Sequence, residues 1–187
     1  MKYFGIREII PCVDGQCRDQ RCGYDENTIV KVPPEVVKNA IALVEEVLDP
    51  ARERLGKPIK VNSGYRCPLK NKAVGGVEKS QHLLGEAADI TPCTLIAGLI
   101  RNPHPEKEIP HQVRNEELAA LARIIVENGK FDQMILYPTF IHVSWKRNGT
   151  NRHKILRKTS TGYTPVSPDQ LLTFNSQLLT QRKEVVL

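Results

Sequence analysis

The stretch Ser80-Gln-His-Leu-Leu-Gly-Glu-Ala-Ala-Asp-Ile90 constrains this chain more than any other, because it sets two metal-competent side chains, His82 and Asp89, on either side of a glycine. A helix would return positions 82 and 89 to one face after two turns. Gly85 and the short Ala-Ala-Asp-Ile run instead predict a loop entering a short strand. In a strand alternate residues share a face, so Asp89 points with Ala87, and Ala88 with Ile90. The alanines leave room for another segment to approach Asp89. His142 is the candidate third ligand, in Phe140-Ile-His-Val-Ser-Trp145, whose β-branched and aromatic residues favour a strand. Two imidazoles and a carboxylate leave a fourth position open to water, the donor set of a catalytic zinc (Zn2+).

A chain of 187 residues with 40% hydrophobic content suits one globular domain. The net charge of +6 favours anionic partners, but the basic residues are scattered except between Lys146 and Lys158. Few aromatics accompany them, so no stacking platform for nucleic acid is expected. No run reaches the length of a membrane span and Met1 to Glu8 has no apolar leader core, so the chain is expected to be made as a soluble cytoplasmic monomer. Cys12, Cys17 and Cys22 recur at five-residue intervals in a polar loop without the tight C-x₂-C knuckle, which favours thiols over a structural metal.

Periodicity places the elements around the motif. Tyr3 to Ile10 reads as a short strand or an opening helical turn. From Pro34 to Leu55 apolar residues recur every three or four positions up to Gly56, an amphipathic helix with Pro50 as a kink. Ile59 to Asn62 reads as a strand and Pro68 to Val74 as a helical turn ended by Gly75-Gly76. Cys93 to Arg114, interrupted by Pro103, Pro105 and Pro110, reads as a surface excursion carrying His104 and His111, which stay on the surface or touch substrate as a lid. Asn115 is the expected N-cap of a helix from Glu116 to Asn128. Phe131 to Leu136 and Phe140 to Lys146 form a hairpin about Tyr137-Pro138-Thr139, with partners summing to roughly 276, and His153 to Arg157 adds a third strand. His153 itself is expected on the surface. The domain is expected to span 1–160, with a weakly ordered tail over 161–187 that holds a helix from Ser167 to Leu179.

The pattern S-x-H-x-x-G-x-A-x-D, preceded by Ser63-Gly64-Tyr65-Arg66 and followed by the His142-x-Ser144 strand, resembles the zinc D-Ala-D-Ala carboxypeptidase and L-alanyl-D-glutamate endopeptidase family over roughly Tyr3 to Trp145. That resemblance implies an α+β, Hedgehog-like fold with helices packed on a small, mostly antiparallel sheet. It implies zinc held by His82, Asp89 and His142, with Arg66 and Ser80 contacting a peptidoglycan peptide. A guanidinium suits a planar carboxylate or an oxyanion. A peptidase made without a leader further suggests a lysis protein of phage or prophage type, released to the wall by other means.

One departure stands out. The family places a carboxylate shortly before the last histidine as general base, and here that neighbourhood holds Tyr137, Thr139 and Phe140. Asp132 is the nearest upstream carboxylate and the first candidate base, Glu86 the second, and Tyr137 a candidate oxyanion donor. The alternatives are an unassisted hydroxide, or a catalytically silent zinc module that binds wall peptide or a protein partner.

Overall fold

Pro34 opens the helical frame. Its fixed φ suits the first helical position, and Val36, Ala40, Leu43, Val44, Val47, Leu48 and Ala51 bury one continuous stripe. The computed structural model, which describes residues 1–15, 31–93 and 111–173, divides this run into α2 (Pro34–Leu43), a wider turn at Val44–Leu48, and α3 (Asp49–Leu55). The widening sits where the sequence predicts a kink. Pro50 has no N–H to return to the Glu46 carbonyl, and Asp49 N–H bonds five residues back to Val44. The Glu46 carbonyl accepts from Asn128 Nδ2 at 2.9 Å instead. That bond ties the break to the end of α5 (His111–Asn128), which stops at Gly129 with φ +69°.

The strands are β1 (Ile59–Ser63), β2 (Ala87–Pro92), β3 (Gln133–Leu136), β4 (Ile141–Ser144), β5 (Lys154–Thr159) and β6 (Gly162–Pro165). They form one sheet in the order β1-β2-β4-β3-β5-β6, antiparallel except where β3 meets β5. The architecture is α+β, as expected. Ala88, Ile90, Met134, Leu136, Ile141, Val143 and Ile155 share a core with the stripe of α2 and α3 and with Leu118, Leu121, Ala122 and Ile125 of α5. Strand alternation then leaves Asp89, His142 and Ile135 on the other face. In the β3–β4 hairpin Gln133 pairs with Ser144 and Ile135 with His142, within one residue of the predicted register.

Several boundaries differ from the sequence expectations. Residues 6–9 form a short helix, α1 (Ile6–Ile9), which resolves the choice left open at the N-terminal segment. Helix α5 starts at His111, so Asn115 lies inside it as a buried residue rather than at its cap. Beyond position 160 the chain still packs: β6 pairs with β5, and Val166 and Leu171, the latter from α6 (Pro168–Thr173), enter the core. Cys17, Cys22, His104, the proline excursion as far as Pro110 and the stretch 174–187 lie outside the described residues. Cys12 and Cys67 are buried. Among the described residues no helix is long and apolar enough to cross a membrane.

Candidate metal centre and its cleft

Strand pairing brings two of the expected ligands together. Asp89 of β2 sits opposite His142 of β4, and cross-strand partners share a face. His82 arrives from a tight helical turn, Gln81–Leu84, that ends at Gly85 with φ +72°. Gly85 has a second reason to lack a side chain, since a Cβ there would lie 2.5 Å from the Val36 carbonyl oxygen. The turn is also tied to the segment after β1, because Arg66 N–H donates to the His82 carbonyl at 3.0 Å.

The three side chains converge. His82 Nε2 lies 3.1 Å from His142 Nδ1 and 3.2 Å from Asp89 Oδ1, and His142 Nδ1 lies 2.9 Å from the same oxygen. Among the described residues this is the group of histidine, cysteine and acidic side chains able to hold a metal ion. Ligand atoms of a tetrahedral zinc with bonds near 2.0–2.1 Å stand about 3.3 Å apart, so the spacing fits. The proton inventory fits too. His82 Nδ1 is 2.7 Å from the Gly64 carbonyl, which only accepts, so the ring proton is on Nδ1 and Nε2 carries a lone pair. Burial holds the His82 pKa below its ordinary value, ahead of the opposing pull of Asp89, and keeps the ring neutral. The lone pairs of His82 Nε2 and Asp89 Oδ1 then face each other, an arrangement that a cation between them stabilises.

Around the ligands lies a second layer. Burial would raise the Asp89 pKa, but the hydrogen bond from His142 leads the effects that overcome it and hold the carboxyl well below the usual range. Its other oxygen, Oδ2, accepts from Arg66 Nη2 at 2.5 Å, while Arg66 Nε donates to Ser63 Oγ at 2.9 Å. Arg66 therefore orients the Asp89 carboxylate as well as lining the cleft. Gly64 is buried against α1: a Cβ there would come within 2.2 Å of the Ile9 carbonyl oxygen, the acceptor of Tyr65 N–H.

The group opens into a cavity of about 440 Å³, whose walls include Arg66, Ser80, Gln81, Tyr137, Arg152 and Tyr163. Arg66, Ser80 and Tyr137 thus share a cavity wall with His82, Asp89 and His142. Tyr137 stacks on Phe140 with ring centroids 4.3 Å apart, and its hydroxyl is 3.2 Å from that of Tyr163. Burial and that hydroxyl pairing raise its pKa, so the phenol stays protonated.

Asp132 is brought elsewhere. Its backbone reaches Ser144, as the hairpin register requires, but its fully buried carboxylate is held by Arg152 through Nε, Nη2 and the backbone N–H, and by Gln81 Nε2 at 3.0 Å. Burial pushes its pKa up, yet the Arg152 and Gln81 hydrogen bonds prevail and bring it to about 2. Glu86 is partly buried, its pKa raised by desolvation against a hydrogen bond from Gln81. Asp89 is the one carboxylate on the cavity wall among the described residues. His153 is exposed, edge-on to Phe131.

Gln81, Arg152 and Tyr163 are wall residues that the sequence reading did not select. The local concentration of cations from Lys146 to Lys158 was the available signal for Arg152, since a buried Asp132 requires a partner. A family model described as Peptidase M15 matches residues 10–144, and no curated protein matches the chain.

Proposed function

We propose, from the premise that this chain belongs to the peptidase M15 family, that it is a zinc-dependent peptidase acting on the stem or cross-link peptides of peptidoglycan. The observation that carries the reading is the meeting of His82 Nε2, His142 Nδ1 and Asp89 Oδ1 beside a cavity large enough for a peptide segment. Zinc, when bound there, supplies Lewis-acid polarisation of the scissile carbonyl and an acidified water. The chain supplies the rest. His82 is kept neutral by burial with its tautomer set by Gly64, Asp89 is kept ionised by its hydrogen bond from His142 and oriented by Arg66, and Tyr137 holds a proton to donate to the oxygen on which charge develops.

In this reading Asp132 anchors the wall instead of acting as base. A carboxyl with a pKa near 2 and both oxygens occupied is a weak proton acceptor at neutral pH. The absence of a second carboxylate from the described cavity wall favours, as the second reading, a zinc-bearing module that binds wall peptide without cutting it. Metal analysis combined with digestion of purified peptidoglycan and mass spectrometry of the fragments separates the two. New peptide termini that disappear on chelation support the peptidase. Bound zinc with intact peptides supports the module.

A further inference from the structure

We propose that Arg152, with Lys79 on the same cavity, forms an anion subsite that takes a carboxylate of the peptide substrate, on the Gln81 side of the metal group. The proposal rests on the peptidase reading and adds to it the chemical character of the substrate. The cavity wall carries three cations, Arg66, Lys79 and Arg152, against the single carboxylate of Asp89. These cations are not equivalent. Arg66 is spent on Asp89 and Ser63. Lys79 is exposed, and no described residue pairs with it.

Arg152 is pre-set. Its Nε and Nη2 grip Asp132 side-on, at 3.0 and 2.5 Å, and its backbone N–H reaches the same carboxylate at 2.9 Å. The Asp132 side chain has no exposed surface while the Arg152 side chain remains half exposed. A guanidinium held by its Nε edge still presents the Nη1–Nη2 edge, a second fork matched to a carboxylate, and no described residue accepts from Nη1. The rotamer entropy of the arginine is already lost to Asp132, so binding a second anion costs less. Gln81 is bonded to the same Asp132 and adjoins His82, and Gln81, His82 and Arg152 line the same cavity. Arg152 lies beyond the family-matched segment, just before β5, whereas Lys79 lies within that segment.

The test compares one stem-peptide fragment with free carboxylates, its side-chain amide and its C-terminal amide, cut by the zinc-loaded full chain. One amide, which identifies the source of the carboxylate, is expected to lower kcat/KM by roughly tenfold or more. Lys79→Met and Arg152→Lys, which keeps Asp132 paired with a cation, are expected to lower kcat/KM for the acid and leave that amide unchanged. Equal cleavage of all three peptides by the unmodified chain overturns the subsite while leaving the peptidase reading intact, as does an equal loss on acid and amide in both variants. If none is cut, calorimetry of the same peptides on the zinc-loaded chain decides. Tighter binding of the acid, abolished by Lys79→Met, keeps the subsite and rejects the peptidase, and equal or absent binding overturns both.

Discussion

His82 Nδ1 lies 2.7 Å from the carbonyl oxygen of Gly64, a bond between the turn that carries the histidine and the end of the first strand. A carbonyl fixes the tautomer as firmly as a carboxylate would, and it does so without adding charge. Zinc content follows. One zinc per chain is expected by metal analysis, with most of it lost in each of His82→Ala, Asp89→Ala and His142→Ala. Stoichiometric zinc in the His82→Ala, His142→Ala double variant would reject the site.

Substitution at Gly64 tests the same bond from its other partner. Gly64→Ala must displace the Ile9 carbonyl, so a loss of about 1–3 kcal/mol in unfolding free energy is expected from overpacking, together with weaker zinc binding. Unchanged denaturant midpoint and zinc affinity would mean that α1 moves aside freely.

Arg66→Lys keeps a cation but cannot span Asp89 and Ser63 with one planar group. The expected outcome is a fall of about 10- to 100-fold in zinc affinity, measured by competition with a chelator. An effect on substrate KM alone, with zinc affinity intact, would return Arg66 to a purely substrate-binding role.

Tyr137→Phe retains the stack on Phe140 and removes only the hydroxyl. A drop in kcat of about 10²- to 10³-fold with little change in KM or zinc content is expected if the phenol donates to the developing oxyanion. Tyr163→Phe should cost less, since its hydroxyl orients Tyr137. Full activity in both variants would remove the pair from catalysis.

The pH dependence of stability isolates Asp132. Its carboxyl titrates at about 2 in the folded chain against an ordinary 3.8, so its contribution is complete above pH 3.8 and is lost as pH falls through about 2. Asp132→Asn should therefore be less stable than the unmodified chain at neutral pH, with the difference shrinking across that acid window in denaturant titrations. A constant difference from pH 6 to pH 2 would show that the Asp132 charge is not what stabilises the wall.

What the sequence disclosed follows from the range of each interaction. His82, Asp89 and His142 were legible because ligand chemistry is carried by residue type, and the β3–β4 register because a short turn fixes it. The role of Arg152 was not, since it depends on Asp132 twenty positions away and on a buried side chain that no periodicity marks. Asn115 shows the limit of a residue preference: a good cap residue also serves inside a helix, here one that includes His111 to Arg114. The helical turn at Gln81–Leu84 was hidden by its brevity, and only Gly85 marked its end.

The order of strands across the sheet divides labour. The metal group is supplied by β2 and β4 and by the turn leading into β2, all within the family-matched segment, whereas Tyr163 reaches the cavity from β6 at the sheet's far edge and Arg152 from the approach to β5. An edge strand can be exchanged or remodelled at little cost to the centre, because it is paired along one side only. In the proposed reading, selection acting on which peptide is taken can therefore work on the outer β6 edge while the residues proposed to hold the metal stay fixed, so the two properties can diverge at separate rates within a single sheet.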